Sequence, residues 1–297
     1  MAIPFVLDPD SRPGIVYRPR HVLRRVVAAN PGPFTYTGTG SYIVGEGIVA
    51  IIDPGPCLPD HVAALTAAIK GEKLSHILIT HAHRDHAPAA RLLKEATGAP
   101  ILGCARPAQT DETPSALEEA VDQDYRPDRV LRDGEAIEGP GWTLGAMATP
   151  GHTANHLCYH WREENALFSG DHIMGWSTSV IAPPDGDMAA YMASLERVAR
   201  LAPASLIPTH GQPVMAPQAF IAALIAHRQA REAAIMDCVE SGVGTIPDIV
   251  ARLYAGVPKT LHPAAAQSVL AHLIKLAGEG RVAAEPAPRL DAHFTSA

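Results

Sequence analysis

The sequence predicts a layered α/β domain followed by a smaller, helical one, and three observations carry that prediction. Strand-like and helix-like runs alternate from the N-terminus to about residue 212. Four apolar strands each end on a histidine or an aspartate. Beyond the breaker GQPVMAP (211–217) the pattern turns to helices and a single short strand. A βαβα rhythm implies helices packed on a sheet, and in open α/β sheets functional groups gather beyond the carboxyl ends of the strands.

Taken in order, HVLRRVVAAN (21–30), GSYIVGEG (40–47) and GIVAIIDPGP (47–56) read as strands, the last two joined by a tight glycine-containing turn. PDHVAALTAAIKG (59–71) follows as a helix. Its Val62, Leu65 and Ile69 fall three and four apart on one face, and Gly71 ends it. The strand HILIT (76–80), a histidine-rich loop and the helix PAARLLKEATG (88–98) come next. WTLGAMATPG (142–151), ALFSGD (166–171) and ASLIPTHG (204–211) are later strands. Between the last two lies the helix MAAYMASLERVARL (188–201), with Leu195, Val198 and Leu201 as its apolar stripe.

The C-terminal helices are FIAALIAHRQAREAAIMDCVESG (220–242), IPDIVARLYAG (246–256) and HPAAAQSVLAHLIKLAGEG (262–280). The strand RVAAE and a proline-containing tail complete a winged-helix outline. The expected domains are therefore residues 1–215 and 216–297. From Gln218 to Ala297 there are seven Lys/Arg and seven Asp/Glu. A winged helix that grips DNA phosphates is basic, so packing, or dimerisation into a homodimer, is the expected role.

The chain has 297 residues, 47% of them hydrophobic and 19% charged, enough to bury a sizeable core. Its net charge of -7 disfavours nucleic-acid binding by bulk electrostatics, leaving only a local basic groove open. The start, MAIPFVLDPDSRPG, lacks the basic region and apolar core of a signal peptide. No continuously apolar stretch approaches the roughly 20 residues of a membrane helix. Cys57, Cys104, Cys158 and Cys238 are widely spaced without a CxxC pair, which indicates neither a disulfide framework nor a thiolate zinc site. A reduced, cytoplasmic protein acting on a small molecule is expected.

The chemistry concentrates in ITHAHRDHAP (79–88), where His81, His83, Asp85 and His86 stand within six residues behind an apolar strand. Burying these groups unsatisfied costs several kcal/mol. A divalent metal removes the cost, because neutral imidazoles and carboxylates are its ligands. His152 follows ATPG, Asp171 follows LFSG and His210 follows LIPT. Four strands thus deliver ligand-type side chains to one edge.

THAHRDH, TPGHT, SGD and PTHG, in that order and preceded by DPG at residues 53–55, resemble the signature of the metallo-β-lactamase superfamily over about residues 15–215. The resemblance implies a four-layer αβ/βα sandwich with a dinuclear site at one edge. It further implies His81, His83 and His152 on one metal, Asp85, His86 and His210 on the other, Asp171 bridging, and Asp53 orienting a ligand imidazole. SGDHIMGWSTSVIAPPDGDMAAYMASL, HRQAREAAI and the tail are similar to lactamase-beta-2-like hydrolases that carry a C-terminal winged-helix domain. An all-nitrogen-and-oxygen set suits two Zn2+, with Mn2+ or Fe2+ tolerable.

The implied function is hydrolysis of a small ester, thioester, lactone or related substrate by a metal-bridging hydroxide. The alternatives are a metal-dependent endoribonuclease or phosphodiesterase, and a mononuclear iron persulfide dioxygenase. His83 stands where the diiron flavoprotein branch has glutamate, and APAA follows the motif where glyoxalase II-like enzymes carry a glycine pair. The leaving-group proton could come from His156, His172, Tyr191 or Asp85, or the two histidines could be positioning or core groups. The GWSTSVIAPPDGD loop (175–187) could place Trp176, Ser177 and Thr178 on substrate. Alternatively, Trp176 plugs a hydrophobic gap and Asp187 caps the next helix. Tyr36 and Tyr42 are candidates for a second rim.

Overall fold

The valine- and isoleucine-rich runs of the N-terminal half pair into one sheet in sequence order. In the computed structural model, which describes residues 2–7, 12–105 and 121–297, this sheet holds β1 (Val16–Arg20), β2 (Leu23–Val27), β3 (Gly40–Val44), β4 (Ile48–Ile52), β5 (Lys73–Ile79), β6 (Ile101–Gly103) and β7 (Arg129–Val130). β1 to β4 form an antiparallel meander, and β4 to β7 run parallel. Parallel neighbours need a crossover, supplied by helices α1 (Pro59–Ala68) and α2 (Ala89–Thr97).

The second sheet has the order β12-β11-β10-β9-β8. Its strands are β8 (Ala136–Gly139), β9 (Trp142–Ala148), β10 (Leu157–Trp161), β11 (Ala166–Gly170) and β12 (Ser205–Pro208). Only β11 and β12 are parallel, joined through α3 (Met188–Leu201). The two sheets face each other across one apolar core. The rings of Tyr42 and Phe168 stand 5.4 Å apart across it, and Tyr159 donates to the Ile79 carbonyl at 2.7 Å. That core runs outward to Leu65 of α1 and Leu93 of α2. On the far side of the second sheet, Leu167 and Leu206 pack on Tyr191, Leu195 and Val198 of α3. The layers are therefore αβ/βα, as expected.

The C-terminal elements are α4 (Pro217–Glu240), α5 (Ile246–Leu253), α6 (His262–Gly278), β13 (Val282–Glu285) and β14 (His293–Ser296). The proline-containing tail returns as β14, antiparallel to β13 from Val282 opposite Ser296 to Glu285 opposite His293. It closes the wing and buries Phe294 against a core that includes Ile235, Ile249 and Leu273. α4 starts at the expected boundary and serves both sides of it. Phe220, Ile221 and Leu224 belong to the core beneath the second sheet, whereas Ile235, Cys238 and Val239 belong to the C-terminal core.

β1, β6, β7, β8, β10 and β14 are absent from the sequence reading. Each is two to five residues long, too short for an alternation to declare itself. In the 175–187 loop the capping alternative holds at Asp187, whose carboxylate accepts from the Ala190 N–H at 2.9 Å. Asp187→Ala is expected to lower stability by about 1 kcal/mol, readable as a shift in a denaturant-unfolding midpoint.

Candidate metal centre

The C-terminal ends of β4, β5, β9, β11 and β12 converge on one edge of the sandwich. β4 ends on Asp53, held at φ +46°, a left-handed conformation that Asp tolerates better than most residues. Its carboxylate accepts from the Thr80 N–H at 2.8 Å, the Thr80 hydroxyl at 2.7 Å and the Thr209 hydroxyl at 3.1 Å. Its Oδ2 also lies 2.9 Å from His86 Nδ1. One buried carboxylate thus joins the loops after β4, β5 and β12.

The candidate side chains gather in two groups, His81 with His83 and His152, and Asp85 with His86, Asp171 and His210; within each, the ligand atoms all lie within 4.8 Å of one another. Asp171 stands between them. Its Oδ1 is 3.5 Å from both His86 Nε2 and His210 Nε2, and its Oδ2 is 3.9 Å from His152 Nε2. Asp85 Oδ2 lies 3.0 Å from His210 Nε2 and 3.3 Å from His86 Nε2. The outer nitrogens are tied down: His152 Nδ1 to the Val180 carbonyl at 2.7 Å and His210 Nδ1 to the Gly38 carbonyl at 3.4 Å. A carbonyl only accepts, so each Nδ1 carries the proton and each Nε2 turns its lone pair inward.

Asp85 Oδ1, Asp171 Oδ1 and the Nε2 atoms of His86, His152 and His210 are buried without a directed hydrogen bond. Leaving a buried polar atom unsatisfied costs about 1–3 kcal/mol; four of these converge in the Asp85 group and His152 Nε2 lies in the other, which fits cations at both. The electrostatics agree. Burial opposes the charged forms of His86 and His210, but the facing carboxylates outweigh it, raising His86 well above its usual range and His210 to about 10. Conversely, His210 and His86 hold Asp171 low despite its burial. Burial, and then the neighbouring imidazoles, push His81 well down and His83 to about 3. Positive charge is wanted among the carboxylates, and excess protons are refused by His81 and His83. The donor set, imidazole and carboxylate alone, suits zinc and is tolerable to manganese or iron.

His156 lies beside this cluster but is already occupied. Its Nδ1 is 2.9 Å from the Thr149 hydroxyl, and its Nε2 accepts from the Asp171 N–H at 3.2 Å. An accepting Nε2 means a neutral ring, consistent with burial holding its pKa well down. His156 therefore positions Asp171 and has no nitrogen left to exchange a proton. The turn between them needs glycine: Gly170 sits at φ +51°, and a Cβ there would meet His156 Nε2 at 2.6 Å. Removing the ring with His156→Ala is expected to weaken metal affinity by about 10–100-fold, measurable by competition with a chromophoric chelator.

His172 is buried with its ring centroid 5.1 Å from that of Tyr191, and burial with His152 nearby lowers it to about 3. Neither it, His156 nor Tyr191 borders the cavity; of the four proposed proton donors, Asp85 alone does. Tyr42 belongs to the core, not a rim: it is buried and donates to the Pro208 carbonyl at 2.7 Å. Tyr36 stacks on Trp176 with centroids 4.8 Å apart.

A cavity of about 470 Å³ opens from the cluster. His83, Asp85, His152 and Asp171 form its floor, and Trp176, Ser177 and Thr178 line it. Its far wall comes from the C-terminal helices, through Arg228, Arg231, Tyr254, Leu261 and Ala265. Sequence reasoning gives that segment a packing or dimerisation role and misses this wall. The HRQAREAAI stretch, which supplies both arginines, is the one signal that points to it.

An αβ/βα sandwich carrying a candidate dinuclear His/Asp site at its edge defines a metal-dependent hydrolase. The chain belongs to the metallo-beta-lactamase superfamily, whose family model matches residues 37–210, and a beta-lactamase associated winged helix domain matches residues 245–289. It is 32% identical to a beta-lactamase-like protein 2 homolog of Caenorhabditis elegans, over 87% of this chain and 85% of that protein. It is 33% identical to the thioesterase pkgB of Emericella nidulans, over 71% of this chain and 57% of that protein. A solved beta-lactamase domain protein from Burkholderia ambifaria superposes with a TM-score of 0.78 at 22% identity, covering 97% of this chain and 96% of that one. The expected family, fold and enzyme class are met. Among the described residues, no helix is long and apolar enough to cross a membrane.

Proposed function

We propose that this chain is a dinuclear zinc hydrolase whose preferred substrate is a small acyl thioester, with esters and lactones cleaved more slowly. The observation that carries the reading is Asp171, whose two oxygens face the two ligand groups. In this reading His81, His83 and His152 would hold one ion, Asp85, His86 and His210 would hold the other, and Asp171 would serve both. When bound, such a pair of ions supplies Lewis acidity toward a carbonyl oxygen and hydroxide near neutral pH. Asp53 fixes the His86 ring through Nδ1, and the Val180 and Gly38 carbonyls do the same for His152 and His210.

The leaving group favours a thioester. Hydroxide oxygen bonds to the acyl carbon, the C–S bond breaks with its electron pair on sulfur, and the thiolate takes its proton from water. A thiol of pKa about 8.5 leaves without a protein acid, whereas an amide nitrogen needs one. Only Asp85, among the proposed donors, reaches the cavity, and His86 and His210 hold its carboxyl well below the usual range despite its burial, so it has no proton to give an amine, which argues against amide substrates. The name of the Emericella nidulans relative supports the same choice.

The test is elemental analysis of chelator-free protein followed by a panel of thioesters, esters, lactones, amides, RNA and glutathione persulfide. About two metal ions per chain are expected for this ligand set, with thioesters turned over fastest. A single iron with oxygen uptake on the persulfide, or RNA cleavage without acyl hydrolysis, overturns the reading.

A further inference from the structure

The wall of the cavity opposite the metal cluster is cationic, and among the described residues no carboxylate pairs with it. His227, Arg228 and Arg231 of α4 all line the cavity; Arg231 lies three residues beyond Arg228 and four beyond His227, so it neighbours both on the helix surface. Arg228 is 4% exposed. One of its terminal nitrogens donates to the Ser179 carbonyl at 2.6 Å, its guanidinium stands 5.3 Å from the Tyr191 ring centroid, and its Nε has no partner. Arg231 is half-buried, stacked over Tyr254 at 4.2 Å, with one terminal nitrogen 3.4 Å from the Leu253 carbonyl. Among the described residues neither guanidinium is in an ion pair; the nearby Glu232 is committed to His272, Lys275 and Arg281.

Two buried or half-buried guanidiniums without a counter-ion are costly, and among the described residues the only carboxylates bordering the cavity, Asp85 and Asp171, face the metal ligands. Burial, with both guanidiniums beside it, lowers His227 to about 4, so this ring is a neutral hydrogen-bonding group. Between the two ends the lining is apolar, with Phe34, Met174, Trp176, Ile181 and Val257. The ends are linked by adjacent residues: the Ser179 carbonyl accepts from Arg228, and the Val180 carbonyl holds His152.

We propose that Arg231, with Arg228 and His227, forms an anion subsite that selects substrates having an apolar body and a carboxylate or phosphate at the end remote from the scissile bond. The inference rests on the hydrolase reading only in calling the bound anion part of a substrate. The subsite itself is tested by binding. Trp176 lines the cavity while the other two tryptophans, Trp142 and Trp161, are buried in the core, so intrinsic fluorescence reports occupancy.

Titrating the zinc-loaded full chain with phenylbutyrate, phenylbutyl phosphate and phenylbutanamide compares carboxylate, phosphate and neutral heads on one apolar body. At least one anion is expected to bind about tenfold or more tighter than the amide, the worth of a charge-assisted hydrogen bond. Which one binds tighter identifies the head group. Arg231→Gln should abolish that preference and leave amide binding unchanged, and Arg231→Lys should restore most of it. Equal binding of all three probes by the wild type overturns the proposal. So does an anion preference that survives Arg231→Gln, which places the anion on the metals, or an equal loss for all three probes, which makes Arg231 a wall residue only. An Arg231-dependent preference in a protein that hydrolyses no acyl substrate upholds the subsite and sinks the proposed function.

Discussion

Asp171→Asn is expected to lower turnover by at least about a hundredfold, or about 2.7 kcal/mol of transition-state stabilisation. Asparagine keeps the shape and removes the charge. Five imidazoles and Asp85 are then left to hold two dications, and no remaining carboxylate faces both ligand groups. The backbone at 171 keeps its own supports, the N–H on His156 Nε2 at 3.2 Å and the carbonyl accepting from the Ser179 hydroxyl at 2.6 Å, so the variant should stay folded. His76→Gln is the matched control. His76 lies on β5, away from the cluster, beside the Ser75 hydroxyl and edge-on to Trp142. Kinetics, elemental analysis and circular dichroism on both variants decide the matter. If Asp171→Asn retains full activity and metal content, or if both variants lose activity equally while folded, the bridging role is wrong.

Removing metal should cost more, abolishing hydrolysis and destabilising the fold. A ligand that binds only the native state adds about 4 kcal/mol at a free concentration a thousandfold above its Kd, so losing two ions removes up to about twice that. The loss is steep here because the buried inward-facing nitrogens and carboxylate oxygens return to being unsatisfied. Dialysis against a chelator should lower the melting temperature, and readdition of a divalent ion should restore both stability and activity. Unchanged melting and turnover after verified metal removal contradict the assignment.

The candidate centre was legible in sequence because each proposed ligand follows directly on an apolar strand, and strand ends of a sandwich share an edge. The family motifs then ordered the residues into two groups before any geometry was known. His156 shows the limit of such reading. Lying four residues beyond His152, it invites a catalytic role, yet what fixes its use is the Asp171 N–H, fifteen residues away. The cationic wall was less legible still. Arg228 and Arg231 look like ordinary exposed charges on a helix, and only the fold shows that they line the cavity above the metal cluster and pair with no carboxylate among the described residues. The winged-helix outline was recovered, but its closing strand hides in a tail whose single buried aromatic, Phe294, gives no periodic pattern.

The dual allegiance of α4 bears on how this chain can be recombined. The two family models, 37–210 and 245–289, leave α4 in the gap between them, so a designer trading modules along those borders must decide which parent supplies it. Grafting a foreign C-terminal unit at residue 241 keeps the native helix and, with it, the arginines facing the metals. Joining at residue 216 imports another parent's helix and should change substrate preference while every metal ligand stays in place. Selectivity in such chimeras should then follow the origin of a connector assigned to neither module.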